Sequence, residues 1–206
     1  MNTIETTLTT QAVFNDSGDK RFLLKKIWDK SLPKLTIIML APSSASGIAL
    51  DSTTSLVLNN SDRLGFGSVS IVNLFATLGD FTLSEAEDED PENLETITNA
   101  CAGADVIIFA PGVGKNKLQA FQDRSKQVLE ALRPFEKKLK CLTNSSGKAR
   151  LLHPLCPAVR NWNLAELSVS ELLSNSDIID AKVSSKKKSK PLVTKKEAST
   201  GFVALP

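Results

Sequence analysis

Ile37-Ile38-Met39-Leu40-Ala41-Pro42-Ser43-Ser44 and Val69-Ser70-Ile71-Val72-Asn73-Leu74-Phe75-Ala76 are apolar runs that stop abruptly in small or polar residues. Short runs of this kind read as central strands. The polar residues that end them fall where an open α/β sheet presents its site, at the carboxyl ends of its strands. A third run, Leu151-Leu152-His153-Pro154-Leu155, carries the chain's one histidine. It supplies the one imidazole for proton chemistry near neutral pH. The three runs are expected to converge on a single site.

Around these runs, Leu35–Leu40 and Ser68–Leu74 are two buried strands, Asp105–Ala110 is a third and Lys138–Leu142 a fourth. Arg21–Asp29 mixes apolar and basic residues in near alternation, as a strand does, with Ser31-Leu32-Pro33 as the turn after it. Thr53–Leu64 reads as a helix of poor propensity, and Glu92–Cys101 as a helix with Asp90 as its cap and Pro91 in its first turn. Leu118, Phe121, Val128, Leu129 and Leu132 share one face, which makes Asn116–Leu132 the best helix of the chain. Leu164, Leu167, Val169, Leu172 and Leu173 suggest one more helix packed on the core. Strand and helix alternate, so the fold class is α/β with a mostly parallel central sheet of about four strands.

A chain of 206 residues suits one domain with a full core. Its parts are a loosely ordered segment over 1–20, a single α/β domain over 21–180, and a Lys/Ser-rich flexible tail over 181–206. No apolar run approaches the ~20 residues of a membrane span, and no secretory signal opens the chain, so a cytoplasmic monomer is expected. Cys101, Cys141 and Cys156 are odd in number and widely spaced, which supports neither a disulfide framework nor a zinc site. The net charge of +2 is unevenly spread, because residues 181–206 hold seven lysines against Glu197. Removing these from totals of 25 basic and 23 acidic residues leaves 18 against 22 for residues 1–180. The domain itself is therefore slightly acidic and not a general nucleic-acid binder, whereas the tail is suited to non-specific contact with DNA.

Several motifs are excluded by spacing. Gly112-Val113-Gly114-Lys115 follows a strand, but Asn116 and Lys117 stand where a phosphate-binding loop needs other residues, so it reads as a turn that aims helix amides at the site. Ser43 and Ser44 lack the Gly-x-Ser-x-Gly surroundings of a hydrolase nucleophile. The acids from Glu85 to Asp90 are consecutive rather than spaced for calcium, so they read as a solvated loop; neither a metal nor a cofactor is expected. Asn73 is more informative. An amide closing an apolar strand must find partners for two donors and an acceptor, either in a neighbouring loop or on the edge of a planar amide such as a nucleobase. Phe75, two residues on, is expected on the same side as a stacking surface.

The set Arg21 to Trp28, Met39-Leu40-Ala41-Pro42-Ser43, Asp51-Ser52-Thr53, Leu64-Gly65-Phe66-Gly67, Val72-Asn73-Leu74-Phe75-Ala76, Asp90-Pro91-Glu92-Asn93 and His153-Pro154-Leu155 resembles a bacterial domain-of-unknown-function family. That family is marked by Asn-Pro-Ser, Asn-Leu-Phe and His-Pro-Leu motifs, and the likeness covers roughly Arg21 to Leu155. More distantly, the same order is similar to the uracil-DNA glycosylase superfamily, which implies a three-layer α/β/α fold. It also implies that Asn73, with Phe75, Pro42 and Ala41, binds an extruded base, and that His153 stabilises negative charge on the leaving base. Ser44, Pro154, Leu155 and Lys115 would contact DNA. Where the superfamily places Asp or Asn to orient the attacking water, this chain has Ala41, and Asp51 and Ser43 are the nearest substitutes.

Two functions follow from this resemblance. One is a metal-independent glycosylase for a damaged or modified base, with Ala41, Ser43, Ser44, Ala45 and Gly47 leaving room for a bulky phage-type base. The other is a catalytically inactive module of the same fold that binds DNA, a nucleotide, or a protein of a repair or mobile-element system. Ala41 favours the second, and the presence together of Asn73, Phe75 and His153 favours the first.

Overall fold

A computed structural model describes residues 3–43, 47–79, 91–112, 119–144 and 151–174. Its strands are β1 (Thr9–Phe14), β2 (Arg21–Ile27), β3 (Lys34–Met39), β4 (Ser68–Asn73), β5 (Val106–Phe109), β6 (Leu139–Thr143) and β7 (Asn163–Glu166). Its helices are α1 (Ser52–Arg63), α2 (Pro91–Ala102), α3 (Gln119–Ala131) and α4 (Val169–Ser174). All seven strands form one sheet in the order β1-β2-β4-β3-β5-β6-β7.

The four buried strands expected from sequence are the parallel centre of this sheet, β4-β3-β5-β6, and the strand expected over Arg21–Asp29 is β2. The sheet is wider than the expected four because β1, β2 and β7 join it antiparallel at its flanks. Thr9–Phe14, expected within a loose lead-in, is instead a strand registered on β2 from Thr9↔Ile27 to Val13↔Leu23. The stretch from Leu164 to Glu166, expected to open a helix, instead belongs to β7, which pairs with β6, and the helix starts only at Val169. Both strands lie at an edge with half-exposed residues, where the apolar pattern that marks a buried strand is absent.

Helices cover both faces of the sheet. Val57 of α1 packs with Leu35, Ile37, Met39, Val69, Ile71 and Ile108 on one face. On the other face Ile97 and Cys101 of α2 and Phe121, Val128 and Leu129 of α3 pack with Ile38, Val72, Ile107 and Phe109. Alternate residues of β3 and β5 are thus buried on opposite sides, which explains why β5 is wholly apolar and β3 almost so, its buried Thr36 donating to the Ala100 carbonyl at 2.9 Å. Tertiary contacts stabilise α1 despite its composition. Buried Asn60 donates to the Leu56 and Arg160 carbonyls, each at 3.0 Å, and accepts from the Trp162 amide at 3.0 Å. All three cysteines are free, and burial pushes the Cys101 and Cys141 thiols up to about 12, so both behave as apolar core residues.

The strand order positions the site. From β3 the chain crosses by α1 to β4 on one side, then by α2 back past β3 to β5 on the other. This reversal opens a crevice at the carboxyl ends of β3 and β5, where sheets of this kind bind ligands. No helix among the described residues is long and apolar enough to cross a membrane.

Candidate active site

The loop that leaves β3 forms one wall of the crevice, and antiparallel β2 holds it. Because β2 runs opposite to β3 and β4, it begins at their carboxyl ends, and Arg21, only 2% exposed, lies there. The Arg21 amide donates to the Ala76 carbonyl at 2.8 Å, and its Nη1 donates to the Ser43 carbonyl at 3.2 Å. Further along β2, buried Lys26 donates from Nζ to Thr10 Oγ1 at 2.9 Å and to the Gly47 carbonyl. Two cations of one strand thus pin the backbone of the loop.

Asp51 closes that loop as the N-cap of α1, accepting from the Thr54 amide at 2.6 Å. Its other carboxylate oxygen accepts from the Ser43 hydroxyl. Burial raises the carboxyl's pKa, but the hydrogen bonds from Ser43 and Thr54 outweigh it and leave the value below 3.8. Asp51 is therefore ionised at neutral pH. Its charge acts on two neighbours, Arg21 and His153, favouring the cationic form of each against burial.

His153 stands beside the carboxyl end of β5. Gly112 follows β5 with φ +85°, and a Cβ added there would lie 3.1 Å from His153 Cβ, so a glycine is required by both backbone and space. The Leu155 amide donates to His153 Nδ1 at 3.2 Å, and the Cys156 amide to the His153 carbonyl at 2.8 Å. With Nδ1 accepting, the neutral imidazole carries its proton on Nε2. Burial draws the pKa of His153 below 6.5, with Asp51 opposing, so the imidazole is a neutral donor near pH 7.

Asn73 ends β4 opposite Met39 and is 1% exposed. Alternation from Val69 and Ile71 places its side chain on the α1 face. Its Nδ2 is buried without a hydrogen-bond partner among the described residues. The backbone around it is held from the opposite face. Asn93 of α2 donates from Nδ2 to the Asn73 carbonyl at 3.2 Å and the Leu74 carbonyl at 3.1 Å, and Arg124 of α3 donates from Nε to the Leu74 carbonyl at 2.9 Å.

The structure thus brings Ser43, Asp51 and His153 into one electrostatic group, and sets Asn73 at the end of the strand next to β3. Ala41 is partly buried and Pro42 buried in the loop between them. Phe75 departs from expectation. β4 ends at Asn73, so alternation does not extend to Phe75, which packs at 8% exposure in the core between the sheet, α2 and α3. Pro154 is buried and Leu155 is 46% exposed. Ser44, Ala45, Gly114, Lys115, the acids from Glu85 to Asp90 and the lysine tail lie outside the described residues. Sequence reading missed Arg21, Asn93 and Arg124. Their roles depend on pairing direction and helix placement, which local patterns do not carry, although Arg21 and Asn93 both fall within the motif set of the family resemblance.

Chemically, the group offers an ionised carboxylate, a neutral imidazole donor and an unpaired amide. It is not a nucleophilic triad, since the Ser43 hydroxyl is engaged by Asp51 rather than by the imidazole. Among the described residues no three His, Cys, Asp or Glu side chains are grouped to hold a metal ion. Two shallow grooves, one beside residues 133–139 and one between α2 and α3, are lined by none of Ser43, Asp51, Asn73 and His153. The family model described as a protein of unknown function (DUF1643) matches residues 21–155. No curated protein and no solved structure matches the chain.

Proposed function

The chain belongs to the DUF1643 family, and from the chemistry of its site we propose that it is a metal-independent DNA glycosylase-like hydrolase acting on a damaged or modified base. The observation that carries this reading is His153, a partly buried imidazole whose Nε2 holds the proton, beside an ionised Asp51 at the switch point of the sheet. Hydrolysis of an N-glycosidic bond needs a donor to the departing base and a group that orients water toward the sugar carbon. His153 serves as the donor. Asp51 orients the water, replacing the Asp or Asn that Ala41 lacks, and Ser43 holds its carboxylate.

Asn73 reads the base. An orphaned buried donor is costly, and a base that accepts from it removes that cost. The three-layer, glycosylase-like reading of the fold is supported by the four contiguous parallel strands and by helices on both faces. Ala41 leaves room for a bulky substituent, which favours modified over ordinary bases. Exposed Leu155, set by buried Pro154, contacts the strand together with Ser44 and Lys115, and the tail adds phosphate contacts.

The test uses oligonucleotides carrying uracil, other deaminated bases or glucosylated cytosines, with alkaline cleavage to reveal abasic sites. Abasic product is expected on at least one. His153→Ala should lower kcat by ~10²–10³-fold with little change in KM, because its interaction strengthens as the leaving charge develops. Asn73→Ala should weaken binding as well. Ala41 favours a second reading, an inactive module of the same fold that binds DNA, a nucleotide or a repair protein. No abasic product on any substrate, with the His153 variant behaving like the parent, would leave that second reading standing.

A further inference from the structure

The two edges of the sheet are guarded very differently. β7 is four residues long and carries Glu166, paired with Lys140 at 3.1 Å. β1 is longer, with six residues, and holds no charge and no proline. Its uncharged stretch extends from Thr6 to Asn15. Natural sheets block such edges with lysine, proline, bulges or brevity. The one irregularity in the β1–β2 ladder lies at Phe22, opposite the Val13/Phe14 step, so the outer edge of β1 stays regular. Every second residue turns its N–H and C=O away from β2. Leu8, just before β1, is 47% exposed and Phe14, at its end, is 37% exposed.

We propose that β1 is a dimerisation edge, pairing antiparallel with β1 of a second copy about a two-fold axis at Gln11. The spacing of the exposed apolar residues selects this partner and register. Leu8 and Phe14 are equally far from Gln11, so the axis places Leu8 of each copy opposite Phe14 of the other. The same register sets Thr9 opposite Val13, Thr10 opposite Ala12, and Gln11 opposite its own copy. Glu5 and Asp16, the nearest charges in sequence, lie outside β1, the latter in the turn after it, so no charge falls within the paired span. An isologous pair of this kind closes on itself and leaves no new edge in the contact. It joins two seven-stranded sheets into one.

Sedimentation equilibrium of the full chain over a micromolar range should show a species of twice the 22.2 kDa chain mass, growing with concentration. Leu8→Lys or Phe14→Glu alone should raise the dissociation constant by about tenfold, since each disturbs two symmetry-related cross-strand pairs. The two together in one chain should restore association. Within a chain the two positions are about 20 Å apart along the strand, so the rescue can arise only between copies. With the unmodified chain, amide exchange over Thr9–Phe14 should slow as concentration rises. A monomer at every concentration, a dimer indifferent to both substitutions, a double variant no better than either single one, or concentration-independent exchange would each overturn the proposal.

Discussion

At His153 the neutral form is favoured because burial disfavours the cation more than Asp51 supports it. The linkage has a definite sign. The unfolded imidazole takes up a proton near 6.5, whereas the folded one does so only at lower pH, so stability falls as pH drops below about 6.5 and levels off below the folded value. Urea melts between pH 7.5 and 5 should show this loss, and His153→Gln should reduce it; an unchanged profile in the variant would assign the titration elsewhere. Protonation also turns Nδ1 from acceptor to donor, so the bond from the Leu155 amide that orients the ring is lost over the same interval. At this scale Asn73 and His153 were legible because a polar group at the end of an apolar run needs a reason to be there. Arg21 was not, because a cation at the start of a strand looks like any solvated residue until the strand is known to run antiparallel.

At the scale of elements, α1 and the site share one carboxylate. Asp51→Ala removes both the cap and the charge, at a cost of ~1 kcal/mol in stability, whereas Asp51→Asn keeps a capping oxygen and loses only the charge. Thermal unfolding should separate the two variants, and the abasic-site assay should find Asp51→Ala inactive and Asp51→Asn slowed, since an asparagine still offers an oxygen to orient water. Gly112 is a second such point. Gly112→Ala places a side chain at φ +85° and 3.1 Å from His153, so a loss of about 1–2 kcal/mol and a displaced imidazole are expected. A melting temperature equal to that of the parent would refute this. The central strands were legible as largely apolar runs, since both of their faces are covered. β1 and β7 were not, because an edge strand owes its existence to a neighbour far along the chain: Thr9 to Ile27, and Glu166 to Lys140.

For the molecule as a whole, charge separates the domain from its C-terminal segment. Truncation after Asp180 removes seven lysines and should flatten the dependence of DNA affinity on salt, by up to about 0.9 in slope for every phosphate of duplex DNA that a lysine had neutralised. Equal slopes for the two forms would show that the lysines neutralise no phosphate. The switch point has a further consequence, which concerns time. Asp51 comes early in synthesis, but the imidazole on which its charge acts arrives only at His153, after β3, α1, β4, α2, β5, α3 and β6 have been made. The meeting that completes the site therefore spans a large sequence separation, and it must wait until most of the chain has left the ribosome. A nascent chain that stops short of His153 lacks the imidazole however much of its sheet has already formed.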